Sequence, residues 1–291
     1  MFERFFTPYQ ASTAVLGDRI AILAPHPDDE IFGCGGSAIK WQAQGKTVQA
    51  FILTSGVVDG EFNDQLNPEH CRAEKAKQRA AESYAAAALL GLPAPIFLNR
   101  QDGGLVHDNE IEAMLLEQLQ SWQPTTLVVP SIWEMHRDHR ATAELGLALA
   151  QQLASVQQLA MYEVGVPLSP NVLEDISPQQ ARKWQAMQCF PSQLQAQHYA
   201  EQIRGLNQYR SYTLGLNITQ AEAFCCVPAS ELSEFDAHFE PNTTTQSLIR
   251  AEQSNHEHAQ QISELQQRIT QLHNSLSWRI TQPLRWLRAK F

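Results

Sequence analysis

The sequence predicts an α/β fold: a Rossmann-like, mostly parallel sheet with helices on both faces, plus a C-terminal helical tail. Three observations carry this. Short apolar runs alternate with helix-like segments through about residue 130. A polar, turn-rich stretch, EPNTTTQ (240–246), then breaks the pattern. Beyond it, apolar residues recur at spacings of three and four. The chain therefore divides into a first domain, 1–240, and a second region, 241–291, made of linker, short coiled coil and basic amphipathic tail.

RIAILAP (19–25) is a short apolar run ending in a turn, which predicts a buried strand. GGSAIKWQAQG predicts a helix ending at Gly45, and TVQAFILTSG a second strand. The Ala-rich segment from Glu69 to Leu90, stopped by Gly91 and Pro93, predicts a helix. PIFLNR follows as a third strand, residues 110–122 as a helix and TTLVVPS as a fourth strand. From Pro167 to Phe239 the pattern is mixed, with a helix over 178–189 and a late strand over 222–227. Strands alternating with helices imply parallel pairing.

Composition bounds the function. An apolar content of 43% with 18% charged residues suits a chain that buries a sizeable core. The net charge of −10 argues against nucleic acid as a partner. It is unevenly spread: the last 27 residues carry five basic groups and no acid. Five irregularly spaced cysteines without CxxC do not form a disulfide framework, and predict reduced thiols in a cytoplasmic setting. The opening MFERFFTPYQ has no apolar run of signal length, and no stretch reaches the roughly 18 residues a spanning helix needs.

APHPDDEIFGCGG (24–36) crowds one histidine and three carboxylates at the end of the first predicted strand. The fourth strand ends in PSIWEMHRDHRAT, which delivers His136, Asp138 and His139 to a similar position. In open α/β sheets, ligands bind at the carboxyl ends of the strands. A cation there would turn crowded anions into ligands. Two imidazoles and one carboxylate with an open position form a ligand set of catalytic Zn²⁺, and Fe²⁺ uses the same donors. His26, Asp29 and His139 supply such a set. Asp28, adjacent to Asp29, is free to point elsewhere, toward a bound water. His136 shares a helical face with His139 and stands near the ion without having to bind it. HPDDE alone equally suits a solvated turn before a helix. Two such clusters, each closing an apolar strand, favour the site. GCGG is not G-x-G-x-x-G, and there is no G-x-S-x-G nucleophile motif.

PHPDDE followed by GCGG, with HRDH downstream, resembles the PIG-L/LmbE-like family of zinc-dependent N-acetylglucosaminyl deacetylases. Arg137 stands where that family has proline, and Ser55 in LTSG where it often has an acid. Weaker likeness runs through RAAESYAAAALLG, LNRQDGGL, YEV, KWQAMQCFPSQ and AEAF, to about residue 227. The resemblance implies that His26, Asp29 and His139 bind zinc and that Asp28 is the general base. It implies that His136 faces the developing oxyanion or leaving amine, with Asp138 orienting its imidazole. Arg79 and Asp102 match sugar-contacting positions. The implied reaction is removal of the N-acetyl group from an N-acetylated sugar, in bacterial polysaccharide or glycolipid assembly. A zinc amidase acting on a non-sugar or thiol-conjugate amide, and a non-catalytic scaffold with a vestigial site, are the alternatives.

In the tail, Ile262, Leu265, Ile269, Leu272 and Leu276 outline a coiled-coil seam, extendable back to Leu248 through Asn255 and His258. An amphipathic helix packed on its own domain is the alternative. SLSWRITQPLRWLRAKF joins aromatic and basic residues as an interfacial helix does, interrupted by Pro283. The expectation is a homo-oligomer docked to the inner face of a membrane or to a glycan-assembly partner.

Overall fold

A computed structural model describes residues 15–57, 68–237 and 243–274. The chain divides into two compact units, 1–240 and 241–291. In the first, the elements run β1 (Arg19–Ala24), α1 (Asp29–Ala43), β2 (Thr47–Thr54), α2 (Pro68–Leu90), β3 (Ile96–Arg100), α3 (Asn109–Trp122) and β4 (Thr126–Pro130). They continue through α4 (Arg137–Gln152), β5 (Gln158–Tyr162), β6 (Val172–Asp175), α5 (Gln180–Met187), α6 (Pro191–Leu194), α7 (Tyr199–Arg210), β7 (Ala221–Pro228) and α8 (Leu232–Ala237).

The sheet has seven strands in the order β3-β2-β1-β4-β5-β7-β6. β1 to β5 pair in parallel, and β7 pairs antiparallel with both β5 and β6. The predicted α/β class with a mostly parallel sheet is what the chain adopts. Alternation along β1 shows how both faces are covered. Ala21 and Leu23 pack with residues of α3 and α4, whereas Ile20 and Ile22 pack with Cys34, Ala38 and Trp41 of α1. The chain leaves β1 toward β2 on one side, while β4 continues toward β5 on the other. The crevice between the ends of β1 and β4 is thus the point where strand order reverses.

Helix α1 starts earlier than its sequence pattern predicts, at Asp29 rather than in the GG of residues 35 and 36, and is broken at Cys34 (φ −142°, ψ 19°). The break exposes backbone groups that a continuous helix would satisfy internally. Glu222 on β7 accepts the freed N–H groups of Gly36 (2.9 Å) and Ser37 (2.7 Å). Lys183 on α5 donates to the Phe32 carbonyl (2.8 Å), to Asn207 Oδ1 (3.0 Å) and to Glu222 (2.6 Å). Two long-range charged residues therefore hold the break, which local periodicity cannot reveal. The glycines permit it: a Cβ on Gly33 would lie 2.2 Å from the Tyr162 ring, and one on Gly36 3.0 Å from Glu222 Oε1.

The second unit contains α9 (Thr243–Asn274), 32 residues and so about 48 Å long. Ile262, Leu265 and Ile269 are 52–59% exposed on it. The predicted seam positions Leu272 (its side chain) and Leu276, and the segment 275–291, lie outside the described residues, as does the N-terminal stretch. Among the described residues no helix is long and apolar enough to cross a membrane. All five cysteines are free.

Candidate metal centre and active site

The loop after β1 carries His26, Asp28 and Asp29, and the loop after β4 carries His136, with Asp138 and His139 in the first turn of α4. Because β1 and β4 are neighbours, these two segments meet at one rim. The rings of His26, His136 and His139 lie with centroids 4.7–5.4 Å apart. Asp29 Oδ2 sits 3.0 Å from His26 Nδ1 and 3.3 Å from His139 Nε2. The other nitrogen of His26, Nε2, faces Asp102 Oδ1 at 3.0 Å and Asp138 Oδ2 at 3.4 Å. Asp102 follows β3, so three loops contribute.

Ligand atoms bonded at about 2.0–2.1 Å to a tetrahedral ion stand roughly 3.3 Å from one another. The two contacts of Asp29 Oδ2 have that spacing. His26, His136 and His139 can each bring one nitrogen within 4.8 Å of the others, and His26, Asp102 and Asp138 form a second convergent group. Asp29, expected from sequence as a ligand, belongs to neither group but bridges His26 and His139. The residues fit the ion.

The electrostatics follow from burial. Burial alone would lower the His26 imidazolium, but its ring N–H groups donate toward the carboxylates of Asp102, Asp138 and Asp29, which outweighs burial and holds the group well above 6.5. His139 is raised in the same way by Asp29, against its burial. Asp29 is also buried, which would raise it, yet His139 and His26 keep it far below the usual carboxylate range. Asp28 behaves oppositely. Burial raises it to about 7, tempered by the charge of Arg79.

Asp28 is held in a strained backbone, φ 147° and ψ −34°. Its N–H donates to Glu30 Oε2 (3.0 Å), and its carboxylate meets Arg79 Nη2 at 3.3 Å. Arg79 is only 8% exposed and also donates to the carbonyls of Gly56 (2.8 Å) and Pro27 (3.1 Å). Gly56 admits it, since a Cβ there would stand 2.8 Å from the guanidinium carbon. Arg79, expected at a sugar contact, thus braces the loop that carries Asp28. Asp102, likewise expected at a sugar contact, faces His26. Ser55, in the position of an expected acid, donates its N–H to the Arg100 carbonyl (2.9 Å).

Asp138 differs from its expected role as the carboxylate orienting His136. Its side chain accepts from the N–H groups of Gly103 (2.7 Å) and Leu105 (3.2 Å) and reaches His26. It is the Asp138 backbone N–H that donates to His136 Nδ1 (3.2 Å). With Nδ1 accepting, a neutral His136 carries its proton on Nε2. That ring is exposed, and desolvation followed by the charges of His26 and His139 lowers it below 6.5. Sequence reasoning does not single out Glu134, whose only signal is a carboxylate on the same loop as two histidines. Its Oε1 accepts from Val164, Gly165 and Val166 (2.8–3.3 Å).

The chain is similar to several known proteins. Residues 21–150 match the family model described as PIG-L: GlcNAc-PI de-N-acetylase. A diacetylchitobiose deacetylase of Thermococcus kodakarensis is 28% identical over 135 residues, covering 44% of this chain and 48% of that protein, so the match spans about half the relative's length. Among solved structures, the N,N'-diacetylchitobiose deacetylase of Pyrococcus horikoshii superposes with TM-score 0.64 at 23% identity, over 78% of this chain and 88% of that one. A conserved protein of Thermus thermophilus superposes with TM-score 0.60 at 26% identity, over 72% and 94%. The 4-carboxy-2-hydroxymuconate hydratase of Pseudomonas putida reaches 0.62 at 20% identity, over 72% and 96%. At such identities the superpositions speak to the fold, and a hydratase among them shows that fold alone does not set the reaction.

Proposed function

We propose, from the match of residues 21–150 to the PIG-L family model, that the protein is a metal-dependent deacetylase of an N-acetylated sugar. The reaction is hydrolysis of the acetamide to acetate and a free amine. The observation that carries the reading is the meeting of His26, Asp29 and His139 with two further groups, Asp28 and His136, suited to proton transfer. A divalent ion held by His26, Asp29 and His139, zinc by family likeness, would supply Lewis acidity and an acidic water at neutral pH.

The chain's own residues do the rest. Asp28 takes a proton from the attacking water; burial leaves it near the operating pH, where a general base works best. Arg79 holds that carboxylate in place. The Nε2–H of His136 donates to the carbonyl oxygen as negative charge develops there, or to the departing nitrogen. Water oxygen bonds to the acetyl carbon, the C–N bond breaks, and the proton held by Asp28 passes to the amine. Asp102 and Asp138 fix the ring of His26 from its far nitrogen. The strain at Asp28 disfavours the scaffold reading, because a site without turnover has no use for it.

The same proposal extends to the surroundings. The exposed Ile262, Leu265 and Ile269 of α9 support association with a second copy. The basic, aromatic composition of 275–291 supports docking to an anionic membrane face or a glycan-assembly partner in the cytoplasm. The experiment is metal analysis of the purified protein combined with acetate release across N-acetylated sugars free and carried on nucleotide, lipid or polymer. Release from non-sugar amides alone would favour the general amidase. Bound metal with no release from any amide would refute the deacetylase.

A further inference from the structure

Glu134 takes no part in the reaction above, yet it is 1% exposed and lies beside the metal centre. Its partner there is His139, whose two nitrogens have different surroundings. Nε2 faces Asp29 Oδ2, on the side where the cation ligands meet. Nδ1 is buried and has no hydrogen-bond partner among the described residues, while Glu134 Oε2 lies 3.7 Å away.

The carboxylate is fixed from its other side. Oε1 accepts the N–H groups of Val164 (2.8 Å), Gly165 (3.0 Å) and Val166 (3.3 Å), and Gly165 also reaches Oε2 at 3.1 Å. These residues form the loop after β5. Gly165 lets the loop close, since a Cβ there would stand 2.9 Å from Oε2. The carboxylate of Glu134 is therefore a rigid acceptor with a lone pair left on Oε2.

We propose that Glu134 is a positioning residue that holds the proton of His139 on Nδ1 and so presents the bare Nε2 to the cation. This rests on the reading of His139 as a metal ligand. A separation of 3.7 Å is too long for a hydrogen bond, and a ring shift of about 0.8 Å makes one. Imidazoles that bind metals donate their remaining N–H to a carboxylate in this way, which sets both tautomer and orientation. The loop after β5 thereby supports the metal centre from outside its ligand set.

The substitution Glu134→Gln separates this role from packing. The amide oxygen can still accept from residues 164–166, so the loop clamp survives. The amide NH₂ then faces Nδ1 as a donor, Nδ1 must accept, and the proton moves to Nε2, where the cation needs a lone pair.

The test uses the full chain with ¹⁵N-labelled histidine, metal-free and zinc-loaded, together with chelator competition for zinc on wild type and E134Q. The expected result is an Nδ1–H tautomer for His139 in the zinc-loaded wild type. E134Q should bind zinc about 10–100-fold more weakly, with His139 shifted to Nε2–H and an unchanged metal-free melting temperature. Equal zinc affinity and the same tautomer in E134Q would overturn the inference. If E134Q fails to fold, the wild-type spectrum decides alone, since a proton on Nε2 in the zinc-loaded protein overturns it. A wild type that binds no zinc would instead refute the metal reading itself.

Discussion

The carboxylate of Asp28 and the guanidinium of Arg79 are 3.3 Å apart, and the same guanidinium grips the backbone after β1 and after β2 through the carbonyls of Pro27 and Gly56. Arg79 is thus a splint for the carboxylate of Asp28. Asp28→Ala should keep the metal and reduce turnover about 10²- to 10⁴-fold, the range of general-base contributions. Metal content and acetate release on one preparation check it; full activity in the variant would remove Asp28 from the mechanism.

His139→Ala should act on the other half of the site. It removes one of the two imidazoles that flank Asp29 Oδ2, at 3.3 Å. Bound metal measured after dialysis should fall to near zero while the circular dichroism of the chain stays that of a folded protein. Retention of a full equivalent of metal would point to the group formed by His26, Asp102 and Asp138 instead.

The histidines also give the metal-free protein a characteristic pH dependence. His26 and His139 are raised above 6.5 despite their burial. Their stabilisation is complete below the unfolded value and is lost as pH climbs through the folded one. Asp28, raised to about 7, and Glu30, raised to about 8, are carboxyls that burial keeps neutral, and they act in the same direction. Rising pH ionises them readily in the unfolded chain and only at a cost in the folded one. Melting temperature in chelator should therefore fall between about pH 5 and 8. A divalent ion displaces the imidazole protons, so the stabilisation it adds should grow over the same interval. Parallel curves with and without metal would contradict the site.

The break in α1 depends on a buried ion pair. Lys183→Met leaves the carboxylate of Glu222 without its ammonium and should cost about 3–5 kcal/mol. Adding Glu222→Gln should recover part of this, because the uncompensated charge is gone while an acceptor for Gly36 or Ser37 remains. Urea denaturation of the single and double variants measures the difference; identical losses would mean that the two charges are not coupled.

For the second unit, deleting residues 247–291 should lower the oligomeric state in light scattering and release the protein from anionic vesicles. No change in either measurement would leave the exposed stripe of Ile262, Leu265 and Ile269 without that function.

What could be read from sequence and what could not divides by the range of the interactions. β1 to β4 announce themselves by local apolar runs bounded by turns, and the reversal of strand order then brings His26 and His139 together. β5 lies between the fourth predicted strand and the mixed region and was not read, and β6 was hidden within that mixed region. β5 extends the parallel sheet beside β4, whereas β6 is only four residues long and reaches the sheet through antiparallel β7 alone. The clustering of His26, Asp29 and His139 was legible because like charges crowded beside a strand end need an explanation. The partners of those residues were not. Nothing in the chain order says that Asp138 will reach His26 rather than His136, that Arg79 will be buried against Asp28, or that Glu134 will be wrapped by residues 164–166. Lys183 and Glu222 are 39 positions apart and meet only once the sheet has formed.

The left-handed twist at residue 28 has a wider consequence. Only glycine occupies such backbone without penalty, and the aspartate there is also a carboxyl that the interior does not welcome. Asp28→Gly should therefore relieve the backbone while leaving the buried Arg79 guanidinium without the carboxylate that it meets at 3.3 Å, and should abolish turnover.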